Sequence, residues 1–150
     1  MLQRIQTVYL LVVSICMFLC GALPLLSFIF NGDAITFEAT GIYINGRVSH
    51  ITWGLLSISC LSAILALVTL FFYKKRKTQV RMTIVNIVLI VCFYLSLGSR
   101  LYIFLSGQMP QFIRPGIGLA MPLISIVFCV MAIRSIKADE ALVRSLDRLR

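Results

Sequence analysis

The sequence predicts an all-α membrane protein: four transmembrane helices in an antiparallel bundle, followed by an amphipathic C-terminal helix. Three observations predict it. Hydrophobic residues make up 60% of the 150-residue chain and charged residues 13%, about half the charged share of a soluble domain. So few charges cannot cover so much apolar surface in water, so most of that surface must face lipid. The apolar residues collect into four runs, residues 7–30, 51–73, 82–105 and 115–136, and the only charges inside them are Arg100 and, near the end of the fourth, Arg134. A helix of each run would be roughly 33 Å long or more, enough to cross a hydrocarbon core of about 30 Å. Backbone groups in lipid must bond within their own segment, hence helices rather than strands. The chain is expected to form one integral membrane domain over residues 1–150.

The first run opens with a short basic start and reaches small residues at Gly21 and Ala22, the outline of a secretion leader. It does not stop there but continues "LPLLSFIF" to Phe30, so it is read as a retained span kinked at Pro24. Cys16, Cys20, Cys60, Cys92 and Cys129 all lie inside runs and form no C-x-x-C pair. That disfavours thiol oxidoreduction and leaves small packing residues.

The segment 31–50 is too short for a domain. Its "IYINGRV" alternates around Asn45-Gly46, a hairpin signal, and a lid over the helix ends is expected. His50, the only histidine, stands beside Trp53 where the second run begins, and the pair reads as an interfacial anchor. Haem held by two histidines is excluded within one chain, and Asp33, Glu38 and His50 match no metal spacing. No cofactor is expected. In the second run Ser59, Ser62, Ala63 and Ala66 form a small-residue face suited to close helix contact.

Lys74, Lys75, Arg76, Lys77 and Arg81 crowd a short connection, residues 74–81, between the second and third runs. A nucleic-acid arm needs reach and interleaved readers, so no nucleic-acid partner is expected. These five are read instead as topology determinants. With Arg4, Arg134, Lys137, Arg144, Arg148 and Arg150 they put 11 of the 14 basic residues on one side, leaving Arg47, Arg100 and Arg114 toward the other. The positive-inside rule then makes both termini cytoplasmic and turns segments 31–50 and 106–114 outward. Membrane lipids are expected partners, with anionic headgroups drawn to the basic connection.

In the third run Asn86, Phe93, Ser96 and Arg100 fall on one side of a helix. Asn86 is placed to hydrogen-bond across helices. Arg100 lies about 7–8 Å from the outer end, where an ionised group must snorkel or find a partner. Arg100, Asn86 and Ser96 are the candidate contacts for an anion or lipid. No run contains Asp or Glu, which argues against a cation-coupled transporter. The fourth run opens "RPGIGLAMP". Pro115 suits a helix start, Gly116, Gly118 and Ala120 permit close approach, and Pro122 is expected to kink the helix. The tail "KADEALVRSLDRLR", residues 137–150, places Ala138, Leu142, Leu146 and Leu149 on one face. Glu140 supports Arg144 as an i,i+4 pair, and Asp139, Glu140 and Asp147 are placed to meet the basic connection.

The start "MLQRIQTVYLL" resembles the opening of a family of small bacterial membrane proteins catalogued as a domain of unknown function. The end "KADEALVRSLDRLR" is similar to that family's charged tail, and "YKKRKTQVRMTIVNIVL" fits its cytoplasmic connection and third span. The resemblance implies a four-span protein of the bacterial inner membrane and no activity. It matches Gln3, Arg4, Gln6, Asp139, Glu140, Arg144, Asp147 and Arg148 to motif positions without giving them a role.

No nucleophile–base pair, phosphate loop or metal cluster stands out. The leading functional expectation is a non-enzymatic accessory, assembly or self-associating protein, partnered by another membrane protein or by its own copies. The alternative is a lipid- or small-molecule-binding or transport protein with a pocket near Arg100, Pro24 and Pro122. The intact mass is expected to be that of the whole 16.8 kDa chain. Mass spectrometry showing loss of the first 22 residues would remove the first span.

Overall fold

The computed structural model describes residues 2–30, 32–72, 75–105 and 112–147. Four helices carry the chain: α1 (Leu2–Ala22), α2 (Trp53–Phe71), α3 (Arg76–Leu105) and α4 (Ile117–Asp147). All four are long and apolar enough to cross a membrane. α1 packs against α2 and α4, α2 against α3, and α3 against α4. Val13, Met17, Ala63, Ala66, Ile90 and Cys129 form a buried core along the helices. Large apolar side chains such as Phe18, Phe71 and Leu95 point outward and are exposed. Apolar side chains thus face both in and out along helices long and apolar enough to cross a membrane.

The expectation of an all-α chain is corrected by five strands: β1 (Leu26–Phe30), β2 (Asp33–Phe37), β3 (Gly41–Ile44), β4 (Arg47–Ile51) and β5 (Phe112–Pro115). They form one sheet in the order β4-β3-β2-β1-β5, and every neighbouring pair is antiparallel. The first run therefore does not span to residue 30. α1 ends at Ala22, because proline disfavours helical backbone in the residue before it and has no N–H to continue the ladder. Pro24 stops the helix rather than kinking it. The rest of the run is strand, with Leu26 and Phe28 buried and Ile29 exposed, the two-residue alternation of a half-buried strand.

The other limits shift for related reasons. Ile51 and Pro115, read as helix residues, close β4 and β5. The basic connection is shorter than expected, since α3 begins at Arg76 and carries Lys77 and Arg81 in its first two turns. α3 has 30 residues and is about 45 Å long. That is longer than a ~30 Å hydrocarbon layer, and the last turns of α3 meet the sheet. Phe104 there stands edge-on to Phe28 (centroids 5.9 Å apart) and Phe37 (6.4 Å). The buried sheet residues Leu26, Phe28, Ile35, Phe37 and Ile42 join Leu55, Phe93 and Leu97 in a second core. The sheet thus covers one end of the helices, as expected of a lid. The expected hairpin joins β3 to β4, with Asn45 (φ 49°) and Gly46 (φ 77°) at its turn.

α4 runs without interruption through Pro122 and on to Asp147, so the tail continues the fourth span as expected. The side chains of Glu140 and residues 142–150 lie outside the described residues.

The seam between α1 and α4 depends on backbone contact. The Gly116 N–H donates to the Leu25 carbonyl (2.9 Å) and the Gly118 N–H to the Pro24 carbonyl (3.1 Å). A Cβ on Gly116 would run into the Pro24 carbonyl, and one on Gly118 would come within 2.8 Å of it. Backbone cannot yield as a flexible side chain can. Gly116→Val is therefore expected to destabilise the fold by about 2 kcal/mol or more, read as a lower thermal midpoint in detergent. An unchanged midpoint would show that the seam is not this tight.

Candidate binding site at the sheet end of the helices

A cavity of about 330 Å³ opens where the sheet meets the helices, lined by Ile42, His50, Ile51, Thr52, Arg100, Ile103 and Phe104. Strands β3 and β4 bring Ile42, His50 and Ile51. The last turns of α3 bring Arg100, Ile103 and Phe104. Thr52 links β4 to α2 and is buried. Its hydroxyl donates to the carbonyls of Glu38 (3.0 Å) and Ala39 (3.2 Å), and its N–H donates to the Thr40 carbonyl (3.2 Å). Thr52 thus ties the start of α2 to the sheet, and its hydroxyl does not cap the helix it precedes. Arg100 reaches over that start: a Cβ placed on Gly54 would lie 3.9 Å from its Nη2. Helix N-termini carry about half a positive charge, so the guanidinium and the α2 N-terminus present positive potential to the same space.

The polar stripe of α3 divides. Phe93 is fully buried, and so is Asn86, which accepts a hydrogen bond from the Ser62 hydroxyl (2.7 Å) and points its Nδ2 at Cys129 Sγ (4.0 Å). The cross-helix bond expected of Asn86 is present. Ser59, Ser62, Ala63 and Ala66, the small-residue face of α2, are all buried. Ser96 is half-buried, and its carbonyl accepts from the Ser99 hydroxyl (2.9 Å). Arg100 is exposed. Asn86 therefore serves the helix interior while Arg100 serves the cavity, and the two do not meet.

At the opposite end, Arg76 Nη2 lies 2.7 Å from Asp139 Oδ2, and its Nη1 donates to the Asp139 carbonyl (3.1 Å). The tail meets the basic connection at this pair, as expected for Asp139. Lys75, Lys77 and Arg81 are exposed; Lys74 lies outside the described residues.

The sequence had not located the strand side of the cavity. Sequence reasoning placed His50 beside Trp53 but missed Ile42 and Thr52, although the alternation in "IYINGRV" was a usable signal. β4 is the outermost strand on its side of the sheet, and all five of its residues are exposed.

These features define the class: four helices long and apolar enough to cross a membrane, capped at one end by a five-stranded antiparallel sheet. Over residues 2–149 the chain matches the family described as Domain of unknown function (DUF4293), and it belongs to that family. The resemblance read from its two terminal motifs therefore extends over nearly the whole chain. No curated protein and no solved structure matches it.

Removing the buried Asn86 amide should cost stability. Asn86→Leu is expected to lose about 1–2 kcal/mol, and Ser62→Ala added to it should cost little more. A double-mutant cycle read by thermal unfolding should give a coupling of roughly 0.6 kcal/mol. Strictly additive losses would show that the bond contributes nothing.

Proposed function

We propose that this protein is a multi-pass protein of the bacterial inner membrane that works by association rather than catalysis, as an accessory or assembly subunit. The sheet end faces outward and both termini are cytoplasmic. The distribution of charge supports this orientation. Lys75, Arg76, Lys77, Arg81, Arg134 and Lys137 lie toward the end opposite the sheet, while Arg47, Arg100 and Arg114 lie toward the sheet, and the basic end of such proteins stays inside.

One observation carries the association reading. β4 is an edge strand with every residue exposed, including the apolar Val48 and Ile51, and Trp53 follows it at 71% exposure. Arg47 and a bulge where β4 passes Ile42 and Tyr43 interrupt this edge, but an outermost strand still presents N–H and C=O groups to a further strand, and strand addition is a common means of recognition. Aromatic residues such as Trp53 are frequent anchors of interfaces.

Native mass spectrometry of the protein extracted gently from its own membrane tests the reading. A reproducible heavier species is expected, either with a defined second protein or as a homo-oligomer. Val48→Lys should reduce it to the protomer without lowering the thermal midpoint, because lysine on an edge blocks strand addition. A wild-type protein that runs only as a protomer rules the reading out.

A further inference from the structure

The cavity beneath β4 shares His50 and Ile51 with the strand edge but has a chemistry of its own. Among the described residues its lining contains a guanidinium and an imidazole but no carboxylate. Arg100 and His50 have no side-chain hydrogen bond or ion pair with any described residue. The nearest acidic residues of the sheet are engaged elsewhere: Asp33 accepts from Asn45 Nδ2 (2.7 Å) and Glu38 from the Thr40 hydroxyl (3.2 Å). The rest of the lining is Thr52, whose hydroxyl is taken up by the Glu38 and Ala39 carbonyls, and the apolar Ile42, Ile51, Ile103 and Phe104.

We propose that this cavity binds a phosphate-bearing anion, held by Arg100 with His50 as a second donor, its apolar portion lying against Ile103 and Phe104. A guanidinium offers two parallel N–H groups that match phosphate oxygens. The start of α2, which has no side-chain cap at Thr52 in the lining, adds favourable potential. A volume of about 330 Å³ lies within the range of small-molecule sites. Trp53 and Tyr102, which flank the cavity in sequence, are 71% and 78% exposed. Exposed aromatic rings at helix ends mark the headgroup level of a membrane. A phospholipid headgroup at that depth is one source of the anion, and a soluble phosphate compound entering from the aqueous side is the other.

Thermal unfolding of the purified full chain in a neutral detergent tests this. The probes are short-chain phosphatidylglycerol, short-chain phosphatidylcholine and inorganic phosphate. Phosphatidylglycerol is expected to raise the midpoint saturably, and phosphatidylcholine to do so far less. Arg100→Gln should weaken the apparent affinity at least about tenfold, Arg100→Lys should recover part of it, and His50→Gln should lose less than Arg100→Gln. Arg100 is exposed, so the midpoint of Arg100→Gln without ligand should match the wild type. Ile103→Glu, also at an exposed position, leaves Arg100 in place but adds a negative charge, and it should abolish the response. If inorganic phosphate saturates the same response at millimolar concentration and competes with the lipid, the site stands and its occupant is a soluble anion. Equal responses to both lipids, no response to any probe, or an unchanged response in Arg100→Gln would each overturn the proposal.

Discussion

The sheet end of this protein depends on the peptide bond before Pro24. A helix cannot comfortably continue through it, and once α1 stops, the backbone that follows must find partners outside its own segment. Those partners come from two directions. The Leu25 N–H donates to the Phe37 carbonyl (2.8 Å), while the Leu25 and Pro24 carbonyls accept from Gly116 and Gly118. β1 is thereby fixed between β2 and β5. The start of α4 is held against the end of α1, at a distance only glycine allows. The cavity follows from the same arrangement, since the sheet that carries His50 is the one Pro24 begins.

The length and apolar character of the four helices could be read from sequence because hydropathy integrates over about twenty residues and local detail averages out. The sheet could not be read in the same way. Residues 25–30 are as apolar as α1 itself, so the run gave no sign that its structure changed partway. β5 has four residues and owes its existence to β1, far away in the chain. The β3–β4 hairpin was visible because its signal is local: Asn45 and Gly46 take the positive φ values such a turn requires.

The polar residues were legible in the same unequal way. Asn86 and Asp139 met partners of the expected kind, because an amide inside a helix packing and a carboxylate beside a basic segment have few alternatives. Arg100 shared a helix face with Asn86, but sequence could not show that α3 outlasts the core and carries Arg100 to the sheet. Two long helices are displaced in opposite senses. α3 reaches past the others to receive the sheet, while α4 continues beyond the core at the other end, where Asp139 meets the first residue of α3. Each end of the packing is therefore met by a helix of 30 or 31 residues that outlasts the other two.

The pairing of β1 also sets an order of events during synthesis. One side of β1 meets β2 within a few residues, but on the other side Leu26 pairs with Pro115, about ninety positions later. At roughly 5–20 residues per second, that side of β1 stays open for about 4–18 s, while α2 and α3 are made. Through that interval β1 is itself an outermost strand of the nascent sheet, opposite β4, and it is covered only when β5, just ahead of the fourth helix, takes that place.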